Sequence, residues 1–385
     1  MKIIQKLPNS VSSSIRLRFL SDREKTIAGA EKELPLVIEP VKEKSFGALT
    51  ELVRDNSDWF NQQRDTYGAI LFRGFEVENG TQFESILELL KIKLASYYHF
   101  GSAQRVRITD KVFTSSEASP DLILMPHNEL NMVPVRPNIL AFFCQIQPAL
   151  YGETPIINTE KIFNGLSSSF QYQLANFPQK YVRFVPENLL DIVFEKLSRE
   201  EITEMLQNGG FNFHWEPDGS LYFECSYIPL FTHPRTGKVC LGLSTFDCLA
   251  TREWYQSIAQ RYQLGKRLYY KWLPSKLYKI LEQRRTVKVT VEDNSQQRSS
   301  RLNTYFVNEE GKSFKLREAQ ASELGKTEWK NAVVFPWKQG DILVIDNLQV
   351  AHGRLNTREP RKILTAFGDM LDIRNMKSPS FQNAN

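Results

Sequence analysis

Hydrophobic and polar positions along this chain alternate between two periods. Between residues 46 and 65, Leu49, Leu52, Val53, Trp59 and Phe60 recur at helical spacing, and the pattern ends at Arg64–Tyr67 before Gly68. Directly afterwards Ala69-Ile-Leu-Phe72 is a short apolar run between glycines, closed by Arg73, which predicts a buried strand. A second amphipathic helix is predicted over 81–97, with Phe83, Ile86, Leu87, Leu89 and Leu90 on one side. From 105 to 160 the pattern turns to strands, and the apolar run from Asn138 to Ile146 suits a central one. Helical stretches are expected over 159–206, including 167–176 and 195–206. Strands and turns are expected over 210–250, where Asp218-Gly219 and Thr236-Gly237 mark the turns.

The remainder reads as a Tyr- and Trp-rich helical stretch at 251–283, a polar, less regular one at 284–330 with a mobile loop at 294–301, and two late strands, Asp341–Ile345 and Ile363–Phe367. Residues 1–40 form a partly extended lead-in with one short strand at Leu36–Ile38, and the tail 376–385 is polar and frayed. Strands therefore lie in two blocks with helices between them. That order predicts a β-barrel or sandwich closed by distant strands and decorated by helices. With no internal repeat and no linker, residues 1–385 read as a single domain, its core about 45–372, with a helical and loop insertion about 160–330.

Composition narrows the function classes. Hydrophobic residues make up 41% and aromatics 12%, enough to fill a large core. The net charge of +5 arises from 49 basic and 44 acidic residues mixed along the chain, which is no nucleic-acid signature. The basic runs at 283–285 and 298–301 read as solvated loops, with a docking patch for an acidic partner as the sharper alternative. The four cysteines, Cys144, Cys225, Cys240 and Cys248, form no CxxC pair, so reduced, buried thiols are expected. Charges at Arg16, Arg18, Asp22, Arg23 and Glu24 interrupt any leader, and no stretch approaches the ~18 apolar residues of a membrane span. A cytoplasmic protein is expected.

Chemistry concentrates around two of the five histidines. His127 stands in Met125-Pro-His-Asn-Glu129, and on an extended segment His-x-Glu turns both side chains to one face. Alone that motif is weak. His352, just beyond the late apolar strand, supplies a third donor, and two histidines with one carboxylate make a facial triad that leaves open positions on iron for substrate and O₂. Of the others, His99 and His214 read as packed side chains and His233 as structural.

Further residues around this set carry a resemblance. Gly68-Ala-Ile-Leu-Phe-Arg-Gly-Phe75, Val112-Phe-Thr-Ser-Ser-Glu117, Pro126-His-Asn-Glu129, Gly152-Glu-Thr-Pro155, Phe335-Pro-Trp-Lys-Gln-Gly-Asp341, Ala351-His-Gly-Arg354 and Pro360-Arg-Lys-Ile-Leu364 follow one another in order. Over about 65–160 and 330–370 the chain resembles the TauD/TfdA-like Fe(II)/2-oxoglutarate dioxygenases, in particular their SyrP-like branch, associated with bacterial natural-product hydroxylation. The resemblance implies a mainly β fold, a double-stranded β-helix (jelly-roll) core with helical insertions. It implies Fe(II) on His127, Glu129 and His352, with 2-oxoglutarate and O₂ as co-substrates. It also implies that Arg361 pairs with the distal carboxylate of 2-oxoglutarate and that Thr154 donates to it. An arginine fork suits a carboxylate. Lys362 and Arg358 are rivals for that role, although alternation sets Arg361 and Lys362 on opposite faces.

The implied outcome is hydroxylation of a small, amino-acid-derived substrate, free or tethered to an acyl or peptidyl carrier protein. Desaturation, cyclisation or epoxidation with the same cofactors, and a binding protein without turnover, are the alternatives. Glu129 stands where related halogenases have a small residue, which argues against halogenation. Glu117, Asn131 and Arg354 are candidate substrate residues, each with a structural reading beside it. Asn356-Thr357 and the 241–247 stretch depart from the family pattern, and these departures bear on substrate identity.

Overall fold

A helix that begins at a serine and ends at a glycine sets the first layer of the molecule. Ser45 accepts the Ala48 N–H at the start of α1 (Phe46–Tyr67), and Gly68 closes it in the left-handed region, φ 84°. A Cβ at Gly68 would stand 2.7 Å from Val350, so this position needs glycine for space as well as for φ. Leu49, Val53 and Phe60 are the buried stripe of α1. The second helix, α2 (Gly80–Leu89), is capped by Asn79 and is shorter than the periodicity over 81–97 suggests. Lys91 adopts φ 60°, which breaks the helix, while Leu90 and Ile92 still reach the core from a turn.

Described in this computed structural model are residues 14–96, 105–115, 120, 123–242, 277, 301–376 and 379. Two sheets form the centre. The larger has seven strands in the order β1 (Ile15–Phe19), β3 (Leu36–Pro40), β4 (Ala69–Phe72), β18 (Ile342–Asp346), β7 (Val135–Ile146), β21 (Lys362–Asp372) and β5 (Phe113–Thr114). The second has five: β2 (Ile27–Ala28), β17 (Val333–Val334), β9 (Ile156–Asn158), β19 (Val350–Arg354) and β6 (Leu124–His127). All pairings are antiparallel except that of β3 with β4.

The long apolar run predicted as a central strand is β7, and it is apolar on both faces for a reason. Ile139, Ala141 and Phe143 pack with Leu49, Phe60, Phe83 and Ile86 of the two helices. Leu140, Phe142 and Cys144 pack on the other side with Ile156, Val333 and Val350 of the second sheet and with Phe335 and Trp337, which follow β17. The two sheets with this core between them are the jelly roll, mainly β with helices around it.

The middle of the chain departs from the expected helices and loop. Helices do cover Ser168–Asn176 and Arg199–Asn208. A five-stranded antiparallel sheet accompanies them, in the order β11 (Asn212–Trp215), β12 (Leu221–Tyr227), β10 (Gln179–Val185), β15 (Arg301–Val307) and β16 (Ser313–Phe314). Strict in-and-out burial along β10 shows why that segment is a strand although it falls in a stretch read as helical. The helix Glu318–Asn331 likewise orders part of the stretch read as irregular. A hairpin of β13 (Leu230–Thr232) with β14 (Val239–Leu241) and a pairing of β8 (Leu150–Tyr151) with the sequence-distant β20 (Thr357–Arg358) complete the set. The expected helix at 251–283, apart from Leu277, the loop 294–300, both basic runs except Arg301 and most of the two termini lie outside the described residues. No helix among the described residues is long and apolar enough to cross a membrane.

Candidate active site

The second sheet brings the two distant motifs face to face. His127 ends β6, and the antiparallel register sets His352 of β19 directly opposite it. Their rings lie 4.4 Å apart, centroid to centroid. Glu129 follows on a turn that is clamped from below. Its N–H donates to Asn347 Oδ1 at 2.8 Å, and Asn347 Nδ2 donates back to the Glu129 carbonyl at 3.0 Å and to the Pro137 carbonyl at 2.8 Å. Asn128 Nδ2 donates to the carbonyls of Asn347 and Val350 at 2.6 and 3.2 Å. One ligand-type atom from each of His127, Glu129 and His352 lies within 4.8 Å of the others.

Protonation states follow from the surroundings. His127 Nδ1 is 2.8 Å from the Met125 carbonyl, which only accepts, so the ring proton sits on Nδ1 and Nε2 carries the lone pair. His352 is held well below the usual histidine range by burial first, then by His127 and Arg105, and stays neutral. Its Nδ1 is buried with no hydrogen-bond partner among the described residues, while Nε2 faces Glu129 Oε2 at 3.9 Å. The Phe142 ring, 5.1 Å from that of His352, forms an apolar wall. Two imidazoles and one carboxylate brought close together are donor chemistry suited to a divalent cation with open positions.

A cationic region lies along the same wall. Cys144, two residues beyond Phe142 on the same face of β7, feels the charge of Arg361, and burial pushes its thiol up to about 12. Arg361 Nε donates to the Gly152 carbonyl at 3.1 Å and Nη1 to Ser115 Oγ at 3.3 Å. Burial and then the charge of Arg354 bring its pKa down to about 10. Arg354 is buried two residues past His352 on the same strand. Of the other cations considered at this position, Arg358 is exposed, while Lys362 is half-buried like Arg361. Thr154 is buried, and its Oγ1 accepts the Trp337 indole N–H at 3.2 Å.

Asn131 is fully buried, and neither of its side-chain amide atoms has a partner among the described residues. Glu117 and His99 lie outside the described residues. His214 is exposed, stacks on Tyr222 and pairs with Glu216. His233 is fully buried against Asp346. Of the cysteines, Cys144, Cys225 and Cys240 are free and buried, and Cys248 is outside the described residues. Sequence reasoning missed Arg105, whose Nη2 donates to Glu129 Oε1 at 2.9 Å, and Asn347, which anchors the Glu129 peptide. No motif marks Arg105. Asn347 could have been noticed, since it directly follows the last apolar strand that leads to His352.

Comparisons with known proteins agree with this geometry. The chain is 23% identical over 358 residues to a clavaminate synthase-like protein of Arabidopsis thaliana, covering 87% of this chain and 94% of that one. It is 24% identical over 310 residues to the dapdiamide synthesis protein DdaC of Enterobacter agglomerans, covering 78% and 82%. Among solved structures, PvcB of Pseudomonas aeruginosa superposes with a TM-score of 0.52 at 12% identity, covering 98% of this chain and 100% of that one, a likeness of fold. A second PvcB structure, with a TM-score of 0.50 at 12% identity over 94% and 96%, is described as an Fe, alpha-ketoglutarate dependent oxygenase from an isonitrile synthetic pathway. The model of the taurine catabolism dioxygenase TauD, TfdA family matches residues 31–367, a span that takes in both histidine motifs and Arg361, and the chain belongs to that family of Fe(II)/2-oxoglutarate-dependent dioxygenases.

Proposed function

We propose that this enzyme hydroxylates an unactivated C–H bond of a small, amino-acid-derived natural-product substrate, free or tethered to a carrier protein. In this reading His127, Glu129 and His352 hold Fe(II), while Arg361 and Thr154 hold the distal carboxylate of 2-oxoglutarate. The observation that carries it is the convergence of the three donors beside a wall that leads to a half-buried arginine. Bound iron, with O₂ and 2-oxoglutarate, supplies an oxidant able to break a C–H bond, one oxygen atom ending in succinate as CO₂ leaves and the other in the product hydroxyl.

The protein's own groups do the rest. The Met125 carbonyl fixes the His127 tautomer, and burial keeps His352 neutral. The Arg361 guanidinium is desolvated and repelled by Arg354, so an incoming carboxylate gains more there than it would at a solvated cation. Thr154 Oγ1 already accepts from Trp337, which leaves its proton to donate to that carboxylate. Asn131 and Arg354 serve the substrate side, and Glu117 is a further candidate there. The names of DdaC and PvcB, which refer to dapdiamide synthesis and an isonitrile pathway, support a natural-product substrate.

Anaerobic titration of the Fe(II)-loaded protein with 2-oxoglutarate tests the reading. A weak visible charge-transfer band should appear, and it should be lost in His127→Ala and Arg361→Ala. A folded protein that binds Fe(II) without the band would sink the co-substrate assignment. One that binds no Fe(II) would favour a non-catalytic role. Product mass then separates outcomes: a gain of one oxygen marks hydroxylation or epoxidation, and a loss of two hydrogens marks desaturation or cyclisation.

A further inference from the structure

Arg105 is the charged group beside the three donors that the reading above leaves without a task. Its Nη2 donates to Glu129 Oε1 at 2.9 Å, and the two side chains are only 10% and 11% exposed. The other oxygen of the same carboxylate, Oε2, is the one that lies 3.9 Å from His352 Nε2. The two oxygens of Glu129 therefore face different partners. One meets a guanidinium, and the other meets the ring nitrogen that belongs to the donor cluster.

That division matters because a carboxylate can hold a cation with one oxygen or with both. A charge-assisted hydrogen bond occupies a lone pair of Oε1 and draws negative charge towards it, which disfavours its use as a second donor to the same cation. A facial triad is useful because it leaves three positions open, two for a chelating co-substrate and one for O₂. A carboxylate bound through both oxygens takes one of those three. The arginine also sets the charge around the carboxylate, since it pairs directly with Glu129.

Resting on the iron-site reading above, we propose that Arg105 is a positioning residue that holds Glu129 as a single-oxygen ligand through Oε2, and so keeps a coordination position open for the co-substrates. It acts through Glu129 and needs no contact with substrate.

The test uses Co(II) in place of iron, anaerobically, with the full chain. The visible ligand-field spectrum is recorded before and during titration with 2-oxoglutarate, and thermal melting checks that each variant is folded. R105K and R105Q each keep an N–H for Oε1 and should retain the wild-type spectrum and a 2-oxoglutarate midpoint close to that of the wild type. R105M should take up Co(II) with an altered spectrum and bind 2-oxoglutarate about tenfold more weakly or worse, the scale on which outer partners of metal ligands act. The proposal is overturned if R105M matches the wild type in both spectrum and midpoint. It is equally overturned if R105K and R105Q fail as R105M does, since packing and not the bond to Oε1 would then be the cause. A wild-type protein that takes up no Co(II) overturns the iron-site reading itself, a result distinct from either of these.

Discussion

The role proposed for Thr154 turns on what its side chain already engages. Its oxygen is engaged by Trp337, so the hydroxyl proton is what remains to give. Thr154→Val should weaken 2-oxoglutarate binding by roughly 10- to 150-fold, the worth of ~1.5–3 kcal/mol for a hydrogen bond to a charged group, while Thr154→Ser keeps the affinity within a few-fold. Titration of the Fe(II) protein decides it, and an unchanged midpoint in the valine variant would remove Thr154 from the site. Asn347 works differently, since it feeds the backbone on which Glu129 stands. Asn347→Ala leaves the Glu129 N–H and the Glu129 and Pro137 carbonyls without their partner, so it should cost about 2–4 kcal/mol in denaturant unfolding. At this scale the sequence was most legible where a residue's chemistry is intrinsic. Histidine, glutamate and a nearby arginine declare themselves by type, whereas Arg105 and Asn347 draw their importance from neighbours far off in sequence.

Between the strands β8 and β20, Gly152 shows how an element aims a side chain. It has φ 77°, and a Cβ there would stand 2.5 Å from Thr357 Oγ1 and 3.0 Å from Arg361 Cδ. Gly152→Ala should therefore do two things at once. It should destabilise the fold by about 1–3 kcal/mol through backbone strain, and it should weaken 2-oxoglutarate binding by displacing the guanidinium. Unfolding and co-substrate titration on the same variant check both effects, and loss of stability with unaltered affinity would show that this turn does not aim Arg361. Elements were legible where a period ran long enough to be unambiguous. The helix α1 and the strand β7 are of that kind, each with its apolar faces written in order. The strand β10 carried a clean alternation and was obscured by helical neighbours on either side. Strands of two residues, such as β2, β5 and β17, have no period at all. Their partners in the sheet create them.

For the molecule as a whole, Asp346 ties three regions together at the end of β18. It accepts from His233 Nε2 at 2.9 Å, from Gln349 Nε2 at 3.0 Å and from Arg235 Nη2 at 3.2 Å. Arg235 in turn reaches Asp65 at the end of α1, at 2.8 Å. His233 Nδ1 accepts the backbone N–H groups of Arg235 and Thr236, which turns Nε2 towards the carboxylate. Burial alone would raise the Asp346 pKa, but the hydrogen bonds from His233 and Gln349 and the charges nearby lower it. A carboxylate depressed in the fold stabilises it above the unfolded value, roughly 3.9, and that contribution is lost as pH falls through the lower folded value. Asp346→Asn should thus cost about 3–5 kcal/mol at neutral pH, the scale for breaking a buried pair, and should flatten the stability profile below about pH 4. Unfolding measured across acid pH checks the sign, and an acid limb as steep in the variant as in the wild type would assign it to other groups.

The central place of β7 bears on how the polypeptide leaves the ribosome. Both of its hydrogen-bonding neighbours, β18 and β21, are built from residues 342–372, long after β7 itself has been made. Throughout that interval a twelve-residue strand with the apolar run Ile139–Cys144 at its centre is exposed with both edges unpaired, the kind of template that recruits another chain. Because the pairings are so distant in sequence, closure of the barrel is also a slow, late event. Translation halted before residue 342 should accordingly yield insoluble fragments, and full-length yield in a heterologous host should respond to slower synthesis or added chaperone more than to any change at the iron site.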